Sequence, residues 1–205
     1  MIELYTWGTP NGRKVSIMLE ECGLPYAVHK INIGQNEQFA PEFLAHSPNG
    51  KIPAIMDPDG PDDAPISLFE SGAILIYLAA KTGQFLPDSD RAKYLALQWL
   101  MFQMGGVGPM FGQTHHFMRA APVEVPYGIE RYHKEAKRLY GVLNERLGKV
   151  HYLAGVYSIA DIATYPWVAR HEWHKVDLNE FAHVKRWFDK IGSREAVQRG
   201  MAVPG

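Results

Sequence analysis

The sequence predicts two domains of different class, a mixed α/β domain over residues 1–83 and an all-helical domain over residues 90–205, joined by a linker at 84–89. In the first part, strand and helix patterns alternate in the order β-α-β-(α)-β-β-α. After Gly83 the strand patterns end, and the remaining elements all have helical periodicity. A change from mixed α/β to all-α marks a domain boundary, and Pro87 lies in the stretch between the two patterns.

The elements of the first domain follow from local signals. Short apolar runs bounded by turn residues predict strands over 2–6, 26–33, 54–56 and 66–68. Apolar residues at helical spacing predict one helix over 13–22, which Gly23 and Pro25 terminate, and another over 70–81, which Gly83 closes.

The second domain contains a long stretch, 94–118, without a single charged side chain. Its length would suffice to cross a bilayer, but glutamines, threonine and histidines interrupt it, and a glycine-rich run at 105–109 breaks it. We therefore expect a buried helix that ends in a bend and lines a cleft or a subunit interface. Helical periodicity predicts the helices of this domain over 88–104, 128–147, 159–174 and 181–191.

The composition excludes several classes of function. The 205 residues carry a net charge of −1, which gives no electrostatic footprint for nucleic acid or an anionic membrane. The single cysteine, Cys22, excludes an intrachain disulfide framework and a multi-cysteine zinc site. His171 and His174 lie one residue closer together than the histidines of a zinc-protease motif, so we expect no metal. The first residues lack the features of a secretory signal, and the single cysteine is typical of a reducing compartment, so we expect a cytoplasmic protein.

Three segments of the first domain contain the residues from which the function can be predicted. They are Thr-Pro-Asn-Gly-Arg-Lys-Val at 9–15, Ser-Pro-Asn-Gly-Lys-Ile-Pro-Ala-Ile at 47–55 and Leu-Phe-Glu-Ser-Gly-Ala-Ile at 68–74. Each alone reads as ordinary structure: a turn with a helix cap, a strand start, and the first turn of a helix.

Together, in this order and on this α/β frame, the three segments resemble the glutathione transferase superfamily. The second domain adds Tyr-Ser-Ile-Ala-Asp-Ile-Ala at 157–163, which is similar to that family's buried capping box, with Ser158 and Asp161 as its partners. With Gly-Pro-Met-Phe-Gly-Gln-Thr-His-His-Phe at 108–117, the chain looks most like the bacterial Nu class, which is related to the fungal nitrogen-catabolite regulator. The resemblance implies a thioredoxin-like first domain, an all-helical second domain, a homodimer, and glutathione as co-substrate without a metal.

Glutathione reacts as a thiolate, so its sulfur needs hydrogen-bond donors nearby that stabilise the anion. A free thiol has a pKa of about 8.5, so lowering that pKa by two units takes roughly 2.7 kcal/mol of selective stabilisation of the anion. A helix N-terminus with a hydroxyl or amide donor supplies much of this. Thr9 and Asn11 lie at such a turn, and we assign them as the thiolate donors and catalytic residues.

The resemblance implies further contacts to the tripeptide. Ile52, followed by a cis Pro53, would pair its backbone with the cysteinyl part of the ligand. Glu70 would accept from the γ-glutamyl ammonium, and Ser71 with its helix N-terminus would bind the γ-glutamyl carboxylate.

The glycyl end and the second domain supply the remaining contacts. Lys51 and Gln38 would contact the glycyl end of glutathione. Arg131 would reach a ligand carboxylate across the cleft, and its alternative is an ordinary solvated charge on a helix.

Two other residues are rivals for the catalytic role. Tyr5 could donate to the thiolate, as tyrosine does in several transferase classes, but it lies inside the first strand and four residues before the turn. Cys22 could form a mixed disulfide with glutathione, but it lies near the helix C-terminus, where the dipole disfavours a thiolate. A packed core thiol is the simpler interpretation of Cys22.

The function that follows from the resemblance is glutathione-dependent disulfide-bond reduction. Without a Cys-x-x-Cys pair, bound glutathione would supply the attacking sulfurs against a small disulfide. An alternative is S-conjugation or peroxide reduction on a hydrophobic electrophile, which would suit the apolar residues Trp7, Met110, Phe111 and Phe117. A second alternative is a non-catalytic glutathione-binding regulator.

Overall fold

The computed structural model describes all residues from 1 to 205, and they form two compact units. The first comprises Met1–Gln84 together with Arg194–Gly205, and the second comprises Phe85–Ser193. The division after residue 84 falls in the predicted linker. The assignment of the last twelve residues differs, because the prediction placed them in the helical domain.

The first unit is built on a four-stranded mixed sheet of order β2-β1-β3-β4. β1 and β2 are parallel because a helix connects them, whereas β3 pairs antiparallel with both β1 and β4. This is the predicted thioredoxin-like order of elements. The bounds are β1 Ile2–Thr6, α1 Pro10–Glu21, β2 Tyr26–Lys30, α2 Pro41–Leu44, β3 Ala54–Asp57, β4 Ile66–Phe69 and α3 Ser71–Thr82.

The core of this unit lies between the sheet and helices α1 and α3. Val15, Met18 and Leu19 on α1 are fully buried, as their helical spacing predicts. α3 contributes buried leucine and isoleucine side chains from Ile74 to Leu78. Together these faces hold both helix N-termini in fixed positions beside the sheet.

The C-terminal helix α9, Glu195–Ala202, packs against α1. Ser16 Oγ donates to the carbonyl of Gly200 over 2.7 Å, and a Cβ at Gly200 would lie within 2.6 Å of the Ile17 backbone. Arg194 also makes a two-pronged contact with Glu21, with nitrogen–oxygen distances of 2.6 and 2.7 Å. The close backbone approach explains why this helix belongs to the first unit.

The second unit is helical. The predicted helix over 88–104 does not end in a bend: α4 continues through a π-helical segment, Gln103–Val107, directly into α5. The expectation of a buried segment is also wrong in part, since Tyr94 is 67% exposed and Met101 is 52% exposed. The bounds are α4 Asp90–Phe102, α5 Gly108–His115, α6 Pro126–Lys149, α7 Ile159–Val168 and α8 Ala182–Gly192, with a second π-helical segment at His116–Ala120. None of the helices is both long enough and apolar enough to span a bilayer.

The predicted capping box at the start of α7 is present. Ala160 N donates to Ser158 Oγ over 3.3 Å, and Ser158 N donates to Asp161 Oδ2 over 3.1 Å. Asp161 Oδ1 also accepts from Leu153 N and from Trp187 Nε1. Burial raises the pKa of Asp161 to about 6, against the effect of these hydrogen bonds. The residues therefore serve the core of the helical unit.

Candidate functional site

Strand pairing brings the three informative segments of the first unit to one edge of the sheet. Tyr5 pairs with Ala54, so the chain after β1 lies beside the chain before β3. Ala54 also pairs with Phe69, so the residues that follow β4 lie beside the same point. Three segments that are separate in the sequence are thus adjacent in space.

The turn between β1 and α1 is shaped by a helix cap and a glycine. Thr9 has extended dihedral angles and caps α1, and its Oγ1 accepts from Gly12 N over 3.2 Å. Pro10 occupies the first helical position, where a missing N–H costs nothing. A Cβ at Gly12 would overlap Thr6 Oγ1 and the Trp7 carbonyl, so only glycine permits so tight a turn.

Thr9 and Asn11 lie at this helix N-terminus, and both side chains are half-buried. The Thr9 oxygen uses a lone pair to accept from Gly12, which leaves its hydroxyl hydrogen to donate. The positive end of the α1 dipole adds to the field that favours an anion at this position.

The loop before β3 contains the predicted cis peptide bond between Ile52 and Pro53. Buried Ser47 holds the loop from inside: its Oγ donates to the Lys51 carbonyl over 2.7 Å and accepts from Lys51 N over 3.4 Å. The Lys51 side chain is exposed. The loop therefore presents the backbone of Ile52 and the charge of Lys51 from a fixed base.

Gln38 lies beside this loop in the short helical turn Glu37–Phe39. Gly50 has a φ of 60°, and a Cβ there would come within 3.4 Å of the Gln38 carbonyl, so the two segments touch. Gln38 Oε1 is buried and has no hydrogen-bond partner in the protein. A polar side chain without a protein partner fits a role in binding a ligand.

The turn between β4 and α3 holds Glu70 in an unusual backbone conformation. Its φ is 69° and its ψ is 106°, and residues outside glycine adopt a positive φ only where the surroundings enforce it. The Glu70 carbonyl accepts from Ile74 N, and its side chain is exposed. Ser71, the first residue of α3, is only 4% exposed.

One buried residue of this region was missed as a functional residue. Lys14 is 1% exposed, and its Nζ donates to Ser71 Oγ over 3.1 Å. The available signal was its position four residues before Met18, which places it on the buried face of α1. Burial lowers the pKa of Lys14 to about 7, whereas the charge of Glu70 acts to raise it.

The two rival residues lie elsewhere. The Tyr5 ring stacks between the imidazoles of His29 and His46, with centroid distances of 4.7 and 4.4 Å. Cys22 occupies the C-cap of α1 and is half-buried, with its Sγ 3.5 Å from Thr82 Oγ1. Burial raises the pKa of the Cys22 thiol, which keeps it protonated.

Of the residues of the second unit that were predicted to lie near a ligand, some lie at the surface and one lies in the core. Arg131 is exposed on α6 and lines a cavity of about 620 Å³ with Met110, Tyr127 and Tyr132. Phe111, expected near a binding cleft, is instead fully buried and stacks on Tyr140 at 4.6 Å. Phe117 stacks on Tyr132 at 5.2 Å. No group of three or more histidine, cysteine, aspartate or glutamate side chains is arranged to hold a metal.

Known proteins match this chain over nearly its entire length. Residues 9–81 match the family described as Glutathione S-transferase, N-terminal domain, and residues 129–195 match Glutathione S-transferase, C-terminal domain. The disulfide-bond oxidoreductase YfcG of Escherichia coli is 52% identical over 98% of this chain and 94% of its own length.

Two solved structures are similar in sequence and in fold. A Pseudomonas putida glutathione transferase with one glutathione disulfide bound per subunit is 49% identical, with a TM-score of 0.96 over 100% of this chain and 92% of that one. A Burkholderia graminis glutathione transferase with two glutathione molecules bound per subunit is 50% identical, with a TM-score of 0.94 over 99% and 88% of the two chains. On its sequence, its two matched domains and its fold, this chain belongs to the glutathione S-transferase family.

Proposed function

We propose that this protein is a glutathione-dependent disulfide-bond oxidoreductase in which bound glutathione provides the attacking thiolate. The observation that carries the proposal is the position of Thr9 and Asn11 at the α1 N-terminus, while the only cysteine lies at the opposite end of that helix. The turn offers donors to a thiolate but holds no thiol of its own. The sulfur must then come from a ligand.

The reduction needs two glutathione thiols and one disulfide. The first glutathione thiolate attacks one sulfur of the substrate disulfide, a new S–S bond forms, and the old one breaks to release a thiolate that takes a proton. A second glutathione thiolate then attacks the glutathione sulfur of this mixed disulfide. The products are glutathione disulfide and two substrate thiols, so glutathione is oxidised and the substrate is reduced.

The relatives support this stoichiometry. YfcG is named a disulfide-bond oxidoreductase, and the two similar structures hold either one glutathione disulfide or two glutathione molecules per subunit. These are the product and the co-substrate pair of the proposed reaction.

The site residues take their roles from the chemistry that each presents. Thr9 and Asn11 would donate to the thiolate, and the Ile52 backbone would pair with the cysteinyl unit. Glu70 would accept from the γ-glutamyl ammonium, and Ser71 would donate to the γ-glutamyl carboxylate.

The remaining proposed contacts are at the glycyl end and on α6. Lys51 and Gln38 would bind the glycyl end, since both flank the loop that ends at Ile52. Arg131 is proposed as a contact to a ligand carboxylate because it is an exposed cation.

The test is a set of coupled assays on the purified protein. Reduction of a small symmetrical disulfide by glutathione, followed through glutathione reductase and NADPH, should be faster than conjugation of an aryl halide or reduction of an organic peroxide. Binding of glutathione without turnover of any acceptor would reject an enzymatic role and favour a regulator.

S-conjugation or peroxide reduction of a hydrophobic electrophile is a second candidate. The cavity beside α6 favours it, because Met110, Tyr127 and Tyr132 offer apolar and aromatic contacts there. The rest of its lining is charged: Glu130, Arg131, Lys134, Glu135 and Arg138. Preference for the aryl halide or the peroxide in the same assays would establish it.

We further propose a homodimer and a cytoplasmic location. The exposed apolar side chains of Tyr94 and Met101 on α4 support the homodimer, because such side chains are enriched in interfaces. A supply of reduced glutathione and a single thiol in the chain are both typical of a reducing compartment.

A further inference from the structure

Lys14 is the one ionisable side chain of α1 that is buried within the first unit at the candidate site. Its exposed fraction is 1%, and lysine is almost never fully buried unless a partner compensates for lost hydration. Its Nζ reaches Ser71 Oγ across 57 residues of sequence. The ammonium therefore lies directly behind the residue that would face the γ-glutamyl carboxylate.

The charged groups of the elements packed on α1 are distributed unevenly around Lys14. α3 and α9 pack against α1. Glu70, at the start of α3, is the acidic group whose charge acts on Lys14. The other charged groups of these elements are engaged at the far end: Arg194 with Glu21, and Lys81 with Asp57.

The remaining charges on these elements do not alter this arrangement. Arg199 on α9 binds Glu20, and Glu195 lies 4.0 Å from Arg199. Arg13 is the neighbour of Lys14 on α1 and adds a second positive charge.

We propose that Lys14 is a positioning residue for the γ-glutamyl carboxylate of glutathione, acting through the Ser71 hydroxyl. The inference rests on the proposed function. It adds to that function a buried positive charge that belongs to the subsite without touching the ligand.

The geometry of the hydrogen bond explains the effect. In its charged form Lys14 can only donate, so Ser71 Oγ then accepts, and a hydroxyl that accepts from a cation becomes a better donor through its own hydrogen. The backbone N–H groups at the start of the 12-residue helix α3 point toward the same side. A carboxylate at this position would meet the hydroxyl, the helix N-terminus and the field of the ammonium together.

Two ligands distinguish an effect of the Lys14 charge on the ligand carboxylate from a purely structural effect of the Lys14 side chain. The first ligand is glutathione, and the second is 4-aminobutanoyl-cysteinylglycine, which keeps the ammonium but lacks the γ-glutamyl carboxylate. Lys14→Met should weaken glutathione binding about tenfold or more, since it removes the buried amino group behind Ser71 and with it the positive charge that favours a carboxylate. The same variant should leave binding of the decarboxylated analogue unchanged within about twofold, and Lys14→Arg should recover part of the loss.

Ser16→Ala is the matched control. Ser16 is an equally buried polar residue of α1, but its hydroxyl donates to Gly200 on α9 rather than toward the subsite. This variant should affect the two ligands equally. Equal losses for both ligands in Lys14→Met would overturn the inference, because they would show a structural role only.

If Lys14→Met does not fold, the same inference can be tested on the unmodified protein by calorimetry. Calorimetric titration at pH 8 in buffers of different ionisation enthalpy gives the proton uptake on binding of S-methylglutathione, which has no ionisable thiol. Uptake should exceed that of its decarboxylated counterpart by about half a proton, because the carboxylate favours the charged ammonium. Equal uptake for both ligands between pH 6.5 and 9 would overturn the inference. Failure of the unmodified protein to bind glutathione at all would instead reject the proposed function.

Discussion

Thr9 and Cys22 lie at opposite ends of the same helix. Thr9 caps the N-terminus of α1 through Gly12 N, and Cys22 occupies its C-cap beside Thr82. Twelve helical residues separate them by about 18 Å. The helix dipole favours an anion at the first position and disfavours a thiolate at the second. Bound glutathione rather than Cys22 is therefore the nucleophile in the proposed reaction.

Thr9→Ala and Asn11→Ala should each slow disulfide reduction and raise the apparent pKa of bound glutathione. Loss of one hydrogen bond to a charged group costs about 1–3 kcal/mol, which corresponds to roughly 5–150-fold in rate. The pKa is read from the thiolate absorbance of the complex as a function of pH. Thr9→Ser keeps the hydroxyl and serves as the control. An unchanged thiolate pKa in both alanine variants would contradict the assignment.

Glu70→Gln should raise KM for glutathione by about tenfold and change kcat little. The ligand ammonium is charged both before and during the reaction, so this contact contributes equally to ground state and transition state. Ser71→Ala should behave in the same way, with an added loss of stability because it removes a hydrogen-bond partner of the buried Lys14 amino group. A variant with normal KM and a sharply reduced kcat would place Glu70 in the chemical step instead.

Acid should destabilise the helical unit through His174. Burial lowers the pKa of this imidazole to about 3, and its Nδ1 lies 3.2 Å from the Tyr140 hydroxyl. The unfolded chain binds the proton near the ordinary pKa of 6.5, so the folded state binds fewer protons between pH 3 and 6.5. Its contribution to stability is therefore present above pH 6.5 and is lost as the pH falls.

Chemical denaturation at pH 7.5 and 5.5 measures this effect. His174 should account for roughly 1.4 kcal/mol of the stability lost per pH unit below 6.5. His174→Gln should show a smaller difference between the two pH values than the unmodified protein. His151→Gln, at an exposed position, is the control. An unchanged pH dependence in His174→Gln would show that the imidazole is not buried in its neutral form.

The assembly should have a mass of about 46 kDa, twice the 23.1 kDa of the chain. Light scattering at micromolar concentration measures this mass. Met101→Glu on α4 should shift the mass toward the monomer if this surface forms the interface, because it places a charge among apolar contacts. A monomer mass for the unmodified protein would reject the homodimer.

Local patterns predicted much of the fold, because local chemistry determines those elements. The α1 face of Val15, Met18 and Leu19 followed from helical spacing, and the capping box of Ser158 and Asp161 followed from the resemblance of the local segment 157–163. The cis bond before Pro53 was predicted from resemblance, and no composition rule would have supplied it.

Features set by long-range packing were missed. α9 packs on α1 through Gly200, a contact 184 residues from Ser16 in sequence. Phe111 has the same apolar character as the cavity residue Met110, and only the fold decides which of the two is buried. The contact of Lys14 with Ser71 was likewise not predicted, because it depends on how α3 packs against α1.

In the proposed reaction the reactive sulfur belongs to glutathione and not to the protein. The decisive measurement is kcat/KM of the Cys22→Ala variant, as folded protein, for glutathione-dependent reduction of a small disulfide. The variant should retain the activity of the unmodified protein within about twofold, with a modest loss of stability from the small void at this half-buried position. Loss of turnover in Cys22→Ala, with folding intact and with Thr9→Ala and Asn11→Ala still active, would contradict the account and identify a protein-thiol enzyme.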